Sequence, residues 1–152
     1  MDKYIIRRKT LAILPCGTNA SLVYDDKDMF VVNDSPNNII KRNCLRYGST
    51  FMGRLKSAEL ITGSKYKTPI IISGSNRLIF FPTSSPRLKT VSWINMVNVD
   101  KVYYNALKNV TVITFNNGVL IELSVSLNII NNQLFKSMKL DHFLKKKRNY
   151  GA

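Results

Sequence analysis

The run Lys41-Arg42-Asn43-Cys44-Leu45-Arg46-Tyr47-Gly48-Ser49-Thr50-Phe51-Met52-Gly53-Arg54-Leu55-Lys56 gathers the groups that bind phosphate. Lysine and arginine neutralise phosphates and release their counterions, while serine and threonine hydroxyls and free backbone N–H groups at a helix start donate to phosphate oxygens. Gly48 and Gly53 let backbone approach such an oxygen closely. The segment Thr83-Ser84-Ser85-Pro86-Arg87-Leu88-Lys89 repeats this chemistry in a loop. Lys41, Arg42, Ser49, Thr50, Lys56, Arg87 and Lys89 are therefore candidate phosphate contacts, each set against the plain alternative of a solvated charge or hydroxyl.

The rest of the chain is poor in reactive groups. His142 is the only histidine and stands beside Asp141; Cys16 and Cys44 lack the spacing of a zinc site, and Cys44 reads as a small buried residue. No serine elbow, no paired carboxylates and no glycine-rich phosphate loop after a strand are present, so the expectation is a chain with no catalytic residues, no metal and no cofactor. Lys and Arg number 23 against nine acids, a net charge of +14. Such a balance calls for a polyanionic partner: DNA, RNA or an anionic membrane surface. Between Pro36 and Val99 only Glu59 opposes ten cations, whereas Asp25, Asp26, Asp28 and Asp34 gather elsewhere. One face is thus expected to be strongly positive and another nearly neutral. No apolar run has the length of a signal peptide or membrane span, and the scarce cysteines suit a reducing compartment, so a cytoplasmic location is expected.

Strands must position these residues, because alternation with turn punctuation dominates. Thr10 to Pro15 reads as a first strand. Hairpins are expected from Ser21–Tyr24 and Met29–Val32, from Pro69–Ile72 and Arg77–Phe81, and from Val110–Phe115 and Val119–Leu123, the last with Asn-Gly supplying positive φ for a two-residue turn. Val91 to Tyr104 reads as one long or bent strand, with Trp93 in the core. From Ser126, as N-cap, Leu127, Ile130, Leu134 and Met138 mark one face of a helix ending in Lys145-Lys146-Lys147-Arg148. Leu140, Phe143 and Leu144 leave that stripe, suggesting either a dimer contact or a helix wedged between two parts of its own domain. Gly48 to Thr62 reads as a short central helix capped near Ser49, with Phe51, Leu55 and Ala58 on one face.

The ordered set Arg42-Asn43-Cys44, Tyr47-Gly48-Ser49-Thr50-Phe51, Gly53-Arg54, Phe81-Pro82-Thr83, Trp93-Ile94, Thr114-Phe115-Asn116-Asn117-Gly118, Glu122-Leu123 and Asn132-Gln133 resembles the bacterial competence transcription factor family, the ComK proteins. The resemblance implies a regulator that activates genes for DNA uptake and transformation, binding paired A/T-rich promoter boxes as an oligomer and favouring the minor groove. A narrow A/T-rich minor groove carries a deep negative potential that attracts an inserted arginine, and Arg46 and Arg54 are the candidates for that role. Family members carry a longer C-terminal tail than this chain, so the resemblance carries over no regulatory role assigned to such a tail.

The expected fold is α+β and mainly antiparallel β: a rolled sheet or small barrel, pleckstrin-homology-like by analogy, with a short central helix and a C-terminal helix. Residues 1–144 are expected to form a single DNA-binding domain, with 145–152 as a basic tail. Double-stranded DNA and a further copy of the chain are the expected partners, and the nucleoid the expected place of work. Two other readings stay open: an RNA-binding module that stacks bases on Tyr103 and Tyr104, and a membrane-surface binder using the same basic loops.

Overall fold

The structure, a computed structural model, describes residues 3–150. Its chain order is β1 (Thr10–Pro15), β2 (Ser21–Asp25), β3 (Asp28–Val32), α1 (Pro36–Arg46), α2 (Phe51–Thr62), β4 (Ile70–Ser73), β5 (Leu78–Pro82), β6 (Trp93–Asn95), β7 (Val99–Asn105), β8 (Val110–Phe115), β9 (Leu120–Leu123) and α3 (Leu127–Tyr150). The strands form two antiparallel sheets, one of six strands in the order β3-β2-β1-β6-β5-β4 and one of three, β7-β8-β9. This is the expected α+β class with its C-terminal helix.

Sequence explains where the sheets are covered. Ile70-Ile71-Ile72 and Leu78-Ile79-Phe80-Phe81 are uninterrupted apolar runs, and every residue of β4 and β5 is buried. A strand apolar on both faces needs cover on both. The helices α1, α2 and α3 all touch β4, and α3 also packs on β5, α2 and β7. One core cluster joins the sheets, with Ile13, Val23, Phe80, Phe81 and Trp93 from the larger and Ile113, Phe115 and Ile121 from the smaller. Full burial of each such side chain contributes about 1.5–3 kcal/mol before conformational entropy is set against it. Trp93 is wholly buried, as expected of a core residue.

Several expectations need correction. Neither sheet closes, so there is no barrel. The centre holds two helices instead of one. The first, α1, has its start written in the sequence: Ser35 accepts from the Asn38 N–H at 3.2 Å and Pro36 occupies the first turn, where its missing N–H costs nothing. The second, α2, is capped by Thr50, whose Oγ1 accepts from Gly53 N at 3.0 Å, and not by Ser49. A Cβ on Gly53 would stand 3.1 Å from the hydroxyls of both Ser49 and Thr50, so this glycine makes room for the cap.

The Val91–Tyr104 stretch is two strands in different sheets, separated by a 3-10 turn at Met96–Asn98. Asn95 and Asn98 pin that turn by donating to the carbonyls of Thr10 (2.9 Å) and Arg8 (2.7 Å). In the β8–β9 hairpin only Gly118 takes positive φ, at 89°. Phe115 N–H donates to the Val119 carbonyl at 2.8 Å and Gly118 N–H to the Phe115 carbonyl at 3.0 Å, so Asn116, Asn117 and Gly118 form a three-residue loop between that pair rather than a two-residue Asn-Gly turn.

The Ser126 cap of α3 is present, accepting from Ile129 N at 3.2 Å. Its buried face, however, is Ile130, Gln133, Ser137, Leu140 and Asp141, and Met138 is exposed. Leu140 is thus hidden within the chain, while Phe143 stays partly open. The basic run Lys145–Arg148 is helical, and of the expected frayed end Gly151 and Ala152 lie outside the described residues.

Candidate functional site

Between α1, the start of α2, the 64–68 segment and the 83–90 loop lies a cleft of about 610 Å³. Lys41, Lys65, Lys67 and Arg87 line it together with Phe51, Met52, Leu55, Tyr66 and Pro86, and Glu59 is its one acid. Lys41 Nζ stands 5.9 Å from the centre of the Phe51 ring. The arrangement combines cations with apolar and aromatic side chains, suited to an anionic group attached to a flat or apolar one.

The cleft is held open from beneath. Trp93 Nε1 donates to Asn37 Oδ1 at 2.9 Å, and Asn37 Nδ2 donates to the Pro86 carbonyl at 2.6 Å. Asn37 therefore ties the first turn of α1 to the loop that carries Arg87. Phe51 meets the buried Trp93 edge-on, with ring centres 6.2 Å apart. On the far wall Gln133 Nε2 donates to the carbonyls of Lys67 (2.5 Å) and Pro82 (2.7 Å), fixing the 64–68 segment to α3.

Positive charge continues past the cleft onto α3. Lys136 Nζ donates to the Tyr66 carbonyl at 2.9 Å, and burial together with neighbouring Lys67 and Lys139 pulls its pKa down. A lysine so placed gains from an approaching anion, which offsets both the burial and the repulsion.

The candidate residues fall into three groups. Lys41 and Arg87 meet in the cleft; Lys56 and Lys89 are exposed and have no ion pair among the described residues, and Arg46 stands likewise free in the last turn of α1. Arg42 is engaged, its Nε donating to Asp34 Oδ2 at 2.7 Å. Arg54 is half-buried: its Nη2 donates to the Tyr47 carbonyl at the end of α1 at 3.2 Å, and its Nε is sealed without a partner. Thr50 caps α2, and Ser49 lies beside it. Lys65 and Lys67 complete the cleft although neither stands out locally in the sequence. Their signal is only membership of the acid-poor stretch, since the reversal between α2 and β4 is what brings them opposite Lys41.

Among the described residues no three of His, Cys, Asp and Glu cluster as a metal site would. Cys44 is buried, and burial pushes its thiol up to about 11, which holds it protonated and unreactive at neutral pH. No helix of the described chain is long and apolar enough to cross a membrane. Tyr103 and Tyr104 are neighbours on β7 and so point to opposite faces of the small sheet, which makes no shared stacking platform.

The chain is thus a two-sheet α+β domain with an aromatic-lined cleft in which four cations face one acid. The family described as ComK protein matches residues 1–149, and the chain belongs to that family. A relative is the protein named Competence transcription factor of Bacillus subtilis (strain 168), 29% identical over 161 aligned positions that span 99% of this chain and 83% of that protein. No solved structure matches the chain.

Proposed function

We propose that this protein is a DNA-binding transcription activator of genetic competence, recognising A/T-rich promoter boxes through phosphate contacts and the minor groove, and doing so as a homo-oligomer. The observation that carries the reading is the cleft: four cations from three separated segments converge with a single acid among them, in a chain of the ComK family that has a competence transcription factor among its relatives.

Lys41, Lys65, Lys67 and Arg87 bind one stretch of phosphate backbone, and Lys56, Lys89, Ser49 and Thr50 extend the contact around the start of α2. Arg46 is the foremost candidate for the groove because nothing in the fold engages it. Arg54 reaches a groove only by releasing the Tyr47 carbonyl. Arg42 contributes field more than contact, since Asp34 already holds it.

The test is competition among an A/T-rich duplex, a G/C-rich duplex, single-stranded RNA and anionic vesicles at two salt concentrations. The expected order has the A/T-rich duplex first, with affinity falling steeply as salt rises. Preference for RNA or vesicles would overturn the reading. Footprinting on a competence-gene promoter then reads the site, and protection confined to paired A/T boxes is the expected result. Arg46→Ala is expected to reduce the preference for A/T over G/C duplex, whereas Lys89→Ala weakens both alike.

A further inference from the structure

We propose that the outer edge of the six-stranded sheet, β3, is a self-association surface on which a second copy of this chain pairs its own β3 antiparallel about a two-fold axis. A sheet edge presents unpaired N–H and C=O groups, and folded proteins obstruct such edges with charge, proline, bulges or cover. The other three edges here are obstructed. β4 is buried along its length among the three helices. β7 carries Asp100 and Lys101 and an irregularity between Val99 and Lys101. β9 is four residues long and carries Glu122, paired with Lys108 at 3.1 Å.

β3 carries a charge only at its first residue, Asp28, and none of the other devices. Met29-Phe30-Val31-Val32 contains no charge and no proline, and its register with β2 runs without a break. Met29, Phe30 and Val31 are 58%, 39% and 57% exposed. Met29 and Val31 share a face, opposite Tyr24 and Leu22 of β2, and Phe30 occupies the other face near Tyr4. Three consecutive exposed apolar residues on an open edge call for a partner strand.

Charge selects the partner. A chain of +14 repels its own copy over most of its surface. Around β3, however, Asp25 holds Arg7 at 2.6 Å, Asp26 faces Lys9 at 3.7 Å and Asp34 holds Arg42 at 2.7 Å, while Lys27 and Asp28 adjoin in the chain. Acids answer four cations at this corner and leave Lys3 and Arg8 over, so a copy meets less repulsion here than in the acid-poor stretch and a polyanion finds less to hold. The strand is also self-complementary. Pairing centred on Phe30 sets Asp28 opposite Val32, and pairing centred on Val31 sets Met29 opposite Asn33, so Asp28 never stands opposite another Asp28. None of the residues that line the basic cleft lies on β3, so pairing through that edge uses none of them.

Sedimentation velocity without DNA tests this surface independently of the DNA-binding reading. The wild-type chain is expected to form dimers, and Met29→Lys with Val31→Lys is expected to weaken them about 100-fold or more, with circular dichroism unchanged, because like charges would then face across the pair. A wild-type chain that stays monomeric overturns the proposal, as does a dimer that survives both lysines. Should the lysine pair unfold the domain, Phe30→Cys and Val31→Cys, each in a Cys16→Ser background, decide it under mild oxidation. A disulfide-linked dimer from either one is expected and reads the register, and its absence from both overturns the surface. A dimer that forms normally in a chain that ignores DNA would sink the functional reading and leave this one standing.

Discussion

The β2–β3 corner and the cleft are both rich in charge, and they use it in opposite ways. At the corner the cations answer acids: Arg7 with Asp25, Lys9 with Asp26, Arg42 with Asp34. Burial works to raise the pKa of Asp25, yet the Arg7 guanidinium and the Tyr4 hydroxyl, donating at 2.7 Å, outweigh it and hold the carboxyl below its ordinary range. In the cleft Lys41, Lys65, Lys67 and Arg87 share only Glu59. Charge at the corner closes the fold, and charge in the cleft stays available to a ligand. Net charge alone could not separate the two, because the same residue types serve both.

The largest expected effect breaks the cleft. Lys41→Ala, Lys65→Ala and Arg87→Ala combined should weaken duplex binding by about 100-fold at low salt and shallow the log–log salt dependence by roughly 2.7, about 0.9 for each phosphate no longer neutralised. Lys9→Ala, at the corner, should change affinity by less than about twofold. Equal losses in titrations of the two proteins against one labelled duplex would erase the distinction between the regions.

A second ion pair shows what charge engaged in folding is worth. Arg77 and Asp141 form a two-pronged pair, Nε to Oδ1 and Nη2 to Oδ2 both at 2.7 Å, joining the β4–β5 turn to α3. Asp141→Asn should destabilise the fold by about 2 kcal/mol, less than a fully enclosed pair because Arg77 retains some solvent. The hydrogen bonds and charge of Arg77 hold the Asp141 carboxyl below its usual range. A carboxyl lowered by folding stabilises the native state above its unfolded pKa, and that contribution is lost as pH falls through the folded value. Denaturant melts of wild type and Asp141→Asn should therefore differ most above about pH 4 and converge in stronger acid. Curves that stay parallel down to pH 2 would show that the pair contributes nothing through ionisation.

How far the sequence is readable follows the same division. β1, the three hairpins and the Ser126 cap obey apolar alternation or capping rules, and they stand within a residue or so of where those rules put them. The helix α1 carries its capping signal at Ser35 and Pro36 but escapes apolar periodicity, because its buried face, Ile39, Ile40, Asn43 and Cys44, includes a polar residue. Asn43 is satisfied partly across the fold, accepting from Ile6 N at 2.8 Å and donating to the Tyr4 carbonyl at 3.1 Å, and partly within α1, donating to the Ile39 carbonyl at 2.8 Å. The buried face of α3 departs from its apolar stripe for the same reason, since Gln133, Ser137 and Asp141 replace apolar residues there. Periodicity detects burial only where burial is apolar. The site is legible as a stretch but not as a constellation: acid-poor sequence points to Lys41 and Arg87, while their meeting with Lys65 and Lys67 depends on long-range chain reversal.

The finest expected difference separates two adjacent residues on α1. Lys41 and Arg42 have the same sign and neighbouring positions, and nothing in their local sequence ranks them. The structure does, because Arg42 is held by Asp34 at 2.7 Å and Lys41 lines the cleft beside Phe51. Arg42→Ala should leave duplex affinity within about threefold, because the paired guanidinium presents little net charge, and it should lower the melting temperature as Asp34 is left buried without its partner. Lys41→Ala should do the reverse, weakening binding by about three- to tenfold with the melting temperature unchanged. Asp34→Asn gives the opposite sign. Freed from its carboxylate, Arg42 becomes one more unneutralised cation on α1, and duplex binding should tighten by up to about threefold while stability falls. Binding that weakens on Asp34→Asn would mean that Asp34 positions Arg42 on the ligand, and that the boundary between the two regions runs on the other side of this pair.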